Sequence, residues 1–198
     1  MKNAVHIDRA AAHFAIRAER AADMAAREAL LDACFGANRH ARTCHRLREG
    51  REPARGLAFT ATRQGRLVGT LRLWDVTAGD RPALLLGPLA VAPSLRKLGI
   101  GAALMRAAIA TARARGHRAI VLLGDAPYYA RFGFSAEAAR DLVLPGPFER
   151  DRLLGLDLAQ GALAGAAGFV RATGERQGPR GSGRRPGTKT GRTTPRAA

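Results

Sequence analysis

One stretch of the chain combines residue types and spacing suited to holding an anion. Arg96-Lys97-Leu98-Gly99-Ile100-Gly101 lies between a continuous apolar run, 83–93, and an amphipathic one, 99–116. Glycines at 99 and 101 let the backbone turn without a Cβ in the way. The first N–H groups of a helix have no partner within it and point outward along the positive end of the helix dipole. Such a helix start suits a phosphate or pyrophosphate, and Arg96 and Lys97 add full charge beside it. Two other phosphate motifs are excluded. The GxxxxGK[ST] loop is absent, and GxGxxG fails because Gly101 is followed by Ala102, Ala103 and Leu104. Taken alone, the stretch fits either an anion cradle or an ordinary glycine turn.

A second candidate group is Tyr128-Tyr129 within APYYARFGF, 126–134. Other reactive side chains fit structural roles better. Cys44 and His45 are adjacent, so their side chains diverge, and no orienting acid is apparent. The five histidines, at 6, 13, 40, 45 and 117, show no metal-ligand spacing, and no metal site is expected. Asp125 reads as a helix N-cap, Asp75 as a strand-end turn residue, and His45 and Glu49 as exposed polar residues. None is named as a general base.

The elements that must position these residues read as mixed α and β. The segment 14–19 alternates like a first strand. The segment 21–36 places Met24, Leu30, Leu31 and Phe35 near helical spacing, with Gly36 as its stop. Residues 37–56 suggest a short helix and a loop. Two strands turning at Gln64-Gly65 fit 57–76. The run 83–93 reads as a buried strand, bulged or kinked at Gly87-Pro88. In the helix 99–116, Ile100, Leu104, Met105, Ala108, Ile109 and Ala112 share one face. A buried strand follows at 119–124, then a helix with Pro127 in its first turn. The last strands fall near 142–144, 153–158 and 163–171. Trp74 reads as core or pocket wall, and Met24 and Met105 as core.

Composition bounds the rest. The 198 residues carry 33 basic and 16 acidic side chains, a formal charge of +17, and 46% are hydrophobic. The segment 174–198 holds seven Arg or Lys against one acid and has no Leu, Ile, Val or aromatic residue. It reads as a disordered basic tail behind a folded domain, 1–173. The remaining 26 basic and 15 acidic residues are interspersed, and aromatics are only 5% of the chain. Nucleic-acid contact is therefore expected to be no more than non-specific, through the tail. The two cysteines form no disulfide framework, which points to a reducing, cytoplasmic setting. The apolar stretch 153–170 is broken by Asp157, Gln160 and glycines, so it reads as two core strands joined by a turn and no membrane association is expected.

The pairing of motifs resembles the GNAT superfamily of N-acetyltransferases. Its R/Q-x-x-G-x-G/A signature matches Arg96 to Gly101, behind a strand ending Leu89-Ala90-Val91-Ala92-Pro93, and YARFGF resembles its Y-x-x-x-G-F ending. The longer string LGPLAVAPSLRKLGIG…LLGDAPYYARFGF is similar to a bacterial subgroup of predicted acetyltransferases. One departure is Lys97, where members commonly have Gly. The resemblance implies an α/β fold with a mostly antiparallel, partly splayed sheet of six to seven strands and about four helices. It implies direct transfer of an acetyl group from acetyl-CoA, as cosubstrate, to a primary amine. Leu89, Ala90 and Val91 would border the cofactor's arm and supply oxyanion donors. Arg96, Lys97, Leu98, Gly99, Ile100, Gly101 and Ala102 would hold the pyrophosphate. Tyr129 would be the general acid, with Tyr128 as an alternative. The acceptor stays open between a small molecule and a protein amine. Homodimers are common among members. A non-catalytic CoA-binding regulatory protein and a nucleic-acid-binding protein are the other readings.

Overall fold

The computed structural model describes residues 13–178. Eight strands form one sheet, against the six to seven expected. They are β1 (Ala15–Ala18), β2 (Ala58–Arg63), β3 (Arg66–Ala78), β4 (Arg81–Val91), β5 (Ala119–Leu123), β6 (Leu142–Val143), β7 (Leu153–Asp157) and β8 (Gly168–Ala172). Four helices accompany them: α1 (Met24–Phe35), α2 (Thr43–Arg46), α3 (Ile100–Ala114) and α4 (Ala126–Ala130).

The main path of the sheet is β1-β2-β3-β4-β5-β7. Its first four strands are antiparallel, β4 and β5 run parallel, and β5 and β7 return antiparallel. β3 is long enough to carry two neighbours on the edge away from β4. β2 pairs its first half and β8 its end, at Val76 to Ala78, with the two-residue β6 beyond β8.

Both faces of the central strands are covered, so they read as apolar runs and not as an alternation of apolar and polar. Leu84, Leu86, Ile120 and Leu122 pack under α3 with Leu71 and Leu73. Ala83, Leu85, Ala119 and Val121 face the opposite cluster with Trp74, Val76, Leu142 and Leu153. α3 buries Ile100, Leu104, Met105, Ala108 and Ala112, the stripe its spacing requires. Each of its large side chains contributes roughly 1.5–3 kcal/mol of burial. α1 is anchored by charge as well. Arg27 is buried in this helix and pairs with Glu19, which also pairs with Arg72 of β3.

Two features make an opening in the sheet. β4 and β5 are paired only at Leu84–Ile120 and Leu85–Val121, and beyond those rungs β4 runs on to Val91 without β5. In the same place β4 bulges against β3. Leu71 pairs Leu89 and Leu73 pairs Leu86, so Gly87 and Pro88 together face Arg72. The indole N–H of Trp74 donates to the Gly87 carbonyl at 2.6 Å and pins the bulge.

Several sequence expectations change. Met24 is half exposed, because it sits at the first position of α1, above the turn that enters it. Asp75 lies inside β3 opposite Leu84, and its carbonyl accepts from the N–H groups of Thr173 and Gly174. The final strand starts at Gly168 and not at 163. The Asp157 carboxylate accepts from the Leu163 N–H at 2.9 Å and holds the preceding residues in a compact turn. β7 and β8 do not pair with each other, since β7 adds to β5 and β8 to β3. Residues 175–177 lie along 50–52, with a bridge from Arg51 to Arg176. The rest of the basic segment, from 179, lies outside the described residues. Among the described residues no helix is long and apolar enough to cross a membrane.

Candidate active site

Two clefts open from the splay between β4 and β5. The smaller, of about 480 Å³, runs between the end of β4 and the start of α3. Nine of the ten residues expected to hold a cofactor line it: Leu89, Ala90, Val91, Arg96, Lys97, Gly99, Ile100, Gly101 and Ala102. Leu98 does not line it and is 40% exposed. The turn works through its backbone. Gly99 stands at the N-cap of α3 with φ +79°, a left-handed conformation that suits glycine. A Cβ on Gly101 would stand 2.9 Å from the Tyr128 hydroxyl, so a side chain there would displace the end of that ring. The intrahelical ladder begins with the Ala103 N–H donating to the Gly99 carbonyl, which leaves the N–H groups of Ile100, Gly101 and Ala102 free of the helix's own bonding. Lys97 has φ +77°. A left-handed backbone at this position accounts for the glycine that the sequence pattern leads one to expect there.

The edge of β4 supplies donors of its own. The Ala92 N–H bonds the Val68 carbonyl on β3. N–H groups alternate sides along a strand, so those of Leu89 and Val91 point to the open side. The Val91 carbonyl points there too and accepts from the Cys34 thiol of α1 at 3.4 Å.

The larger cleft, of about 880 Å³, lies on the other side of the splay. Four segments wall it: the end of α1 with the stretch through α2, the bulge of β4, the end of β5 with α4, and Pro147 to Arg152 before β7. Phe35, Leu89 and Tyr128 line both clefts, so these three side chains mark where they meet.

The two tyrosines differ in setting. Tyr129 turns back from α4 into the splay, its ring filling the space a Cβ on Gly124 would need, and lies edge-to-face with Phe134, the ring centres 5.9 Å apart. Burial pushes its phenol up to about 12. Tyr128 reaches over the start of α3, beneath the Arg131 guanidinium at 4.4 Å. Burial raises its phenol as well, against the pull of Arg131 and Arg106.

Asp125 occupies the N-cap position of α4, but its side chain makes no capping bond. Its carbonyl takes the N–H groups of Tyr128 and Tyr129, and the exposed residue lines the larger cleft without an ion pair among the described residues. His45 is not a freely exposed polar residue. It lines this cleft with its Nε2 3.3 Å from the Nδ1 of His40. Burial and the Arg48 charge hold its imidazole below the ordinary range. Glu49 is exposed, and Cys44 is a half-buried thiol pushed up by its burial. Arg48 and Arg131 were not singled out in the sequence, and Phe35 was read there only as part of the apolar spacing of 21–36. Of the two arginines only Arg131 left a signal there, since three residues after Tyr128 is one helical turn. Among the described residues no three His, Cys, Asp or Glu come together as a metal site.

Comparison with known proteins gives a consistent result. The profile of the Acetyltransferase (GNAT) family matches residues 22–134. The chain is 32% identical over 157 residues to the N-acetyltransferase YhbS of Escherichia coli K12, covering 78% of this chain and 93% of that one. It superposes on the crystal structure of E. coli YhbS in complex with CoA with a TM-score of 0.68 at 29% identity, over 81% of this chain and 89% of that one. A GNAT acetyltransferase from Brucella melitensis, in complex with acetyl-CoA, gives a TM-score of 0.58 at 25% identity, over 83% and 94% of the two chains.

Proposed function

The chain belongs to the GNAT family of acetyltransferases, and from that premise we infer that it passes the acetyl group of acetyl-CoA directly to a primary amine. The observation that carries this reading is the meeting of the two clefts at Phe35, Leu89 and Tyr128, one cleft built for an anion and the other open to an acceptor. The smaller cleft suits CoA, because the free N–H groups at the start of α3, with Arg96 and Lys97, match a pyrophosphate and the edge of β4 matches the amide-bearing arm. The domain that does this is assigned to 1–173, with the basic segment 174–198 as an appendage.

In the reaction the amine nitrogen bonds to the acetyl carbon, the carbon–sulfur bond breaks, the amine loses one proton and the sulfur gains one. Holding both reactants at the junction supplies a large part of the rate. The N–H groups of Leu89 and Val91 receive the carbonyl oxygen as it becomes negative, and a donor of this kind is worth ~10²–10³ in rate. Asp125, exposed on the acceptor side, can take the amine's proton and pass it to water. Tyr129 is the general acid for the sulfur. A phenol held near 12 stays protonated throughout the working range. The thiolate forms in the same dehydrated splay, and dehydration raises its proton affinity too, which keeps the transfer within reach.

The test is calorimetric titration of the protein with acetyl-CoA, followed by thiol release in the presence of amines. Micromolar binding that disappears in Gly99→Trp, together with amine-dependent thiol release, is the expected result. A folded protein that does not bind acetyl-CoA would reduce the glycine turn to a turn, and the basic tail would then direct attention to nucleic acid. Binding without any amine-dependent release would favour a CoA-binding regulator.

A further inference from the structure

The arginines of the larger cleft differ in what they already hold. Arg39 is bound to Glu28 and Asp32, at 2.5 and 2.7 Å. Arg152 is paired with Glu149 at 3.3 Å. Arg42 lies over the Phe35 ring, 5.1 Å from its centre. Arg48 sits deeper. Its Nε donates to the Cys44 carbonyl at 2.9 Å, and no carboxylate of the described residues pairs with it. One terminal nitrogen reaches to 3.6 Å from where a Cβ on Gly87 would stand, so the guanidinium lies beside the β4 bulge. Leu86, Gly87, Pro88 and Leu89 line the cleft here, one step from the junction.

A partly buried guanidinium with a single neutral partner is costly unless something anionic completes it. Its surroundings sharpen the point. Burial, joined by the charges of Arg39, Arg72 and Arg42, lowers the Arg48 group to about 10. A planar fork of donors matches a carboxylate in two parallel hydrogen bonds better than any neutral group. The same cleft presents one carboxylate without an ion pair among the described residues, Asp125, on the wall formed by α4. An acceptor with a positive amine and a negative carboxylate would complement both.

We propose that Arg48 binds a carboxylate of the acceptor, so that the acceptor is an amine of amino-acid type and not a polyamine or aminoglycoside. This rests on the acetyl-transfer reading above. Arg48 is here a binding residue and takes no part in the proton transfers. The open volume of about 880 Å³ accommodates an amino acid with a large side chain.

The experiment uses matched pairs that differ only in the carboxylate. The α-amino acids are assayed beside their amides, and 4-aminobutyrate beside butylamine and 1,4-diaminobutane, all by thiol release from acetyl-CoA at saturation. Acetyl-CoA binding is first confirmed by calorimetry. If it is absent, the acetyl-transfer reading has failed, and with it this inference. With binding present, at least one carboxylate is expected to be favoured over its partner by roughly 10²-fold in kcat/KM, as for a charge-assisted pair out of bulk water. Arg48→Gln should then raise KM for the carboxylate by 10- to 100-fold, leave kcat within about threefold, and leave the amide and the acetyl-CoA affinity unchanged. Arg48→Lys should recover part of the preference. The melting temperature of Arg48→Gln should not fall, because a guanidinium without a carboxylate partner is removed; a substantial fall would assign Arg48 to the fold. Amides or diamines preferred in every pair, a preference that survives Arg48→Gln, or no turnover of any carboxylate with acetyl-CoA bound would each overturn the proposal.

Discussion

The groove proposed for the cofactor and the cleft proposed for the acceptor share three side chains and are built by opposite means. The groove is a backbone construction. The 14 consecutive positions from Leu89 to Ala102 provide a strand edge, a left-handed turn and a helix start, and two of their contributions depend on glycine having no side chain. The acceptor cleft is a side-chain construction assembled from four segments between Leu31 and Arg152. A backbone site is damaged mainly by adding volume. A side-chain site is damaged by removing a functional group. The comparison can therefore be broken by variants that subtract on one side and add on the other.

The largest effect is expected from Tyr129→Phe. It should lower kcat by ~10² or more with acetyl-CoA affinity within twofold, because general acid catalysis has that worth and the ring is kept. Turnover within twofold of the wild type would move the acid elsewhere, with Tyr128→Phe the next variant to assay. The pH profile follows in size. Below the pKa of the acceptor amine, log kcat/KM should rise by about one per pH unit as the neutral amine accumulates. As the proposed acid Tyr129 is needed protonated, and its phenol is raised to about 12, so no alkaline fall attributable to it should appear below that region. With an acceptor that carries no carboxylate, so that Arg48 plays no part, a fall near pH 9 would place the acid on a group with a lower pKa.

Gly101→Leu should weaken acetyl-CoA binding about tenfold or more by driving a side chain into the space of the Tyr128 hydroxyl, while amine selectivity is unchanged. Calorimetry and the amine panel together read both. The smallest effect belongs to Lys97→Gly. It relieves a left-handed backbone that costs an L-residue roughly 1–2 kcal/mol, partly offset by glycine's extra freedom in the unfolded chain. The expected gain is at most about 1 kcal/mol, a rise of a few degrees in Tm. Acetyl-CoA affinity should fall by less than about threefold, and less still at high salt, since the lost charge is exposed.

The same contrast decides what could be read from the sequence. Positions 89–102 are contiguous, so their turn, strand and helix were visible together, and nine of ten expected contacts line one groove. The bulge at Gly87-Pro88 was legible for the same local reason. The acceptor cleft was not, because nothing local brings Arg48 beside Gly87 or His45 into a wall with Asp125. Those contacts arise from how α1 and α2 lie on the sheet. Asp125 shows the limit of a local rule. It stands where an N-cap residue stands, yet α4 takes only the carbonyl and leaves the carboxylate to the cleft. Asp75 was misread in the opposite sense. An acid suggested the end of a strand, whereas β3 runs three residues further, paired with β8.

The junction of Phe35, Leu89 and Tyr128 also governs traffic. The clefts share only these three lining residues, so with the cofactor and the acceptor placed as proposed neither substrate has to pass the other to reach the reacting atoms. Loading can begin from either side, and an acetylated product can leave on the acceptor side while the spent carrier is still seated. The order in which the two substrates come and go is then set by their concentrations and dissociation rates, not by an obstruction in the protein.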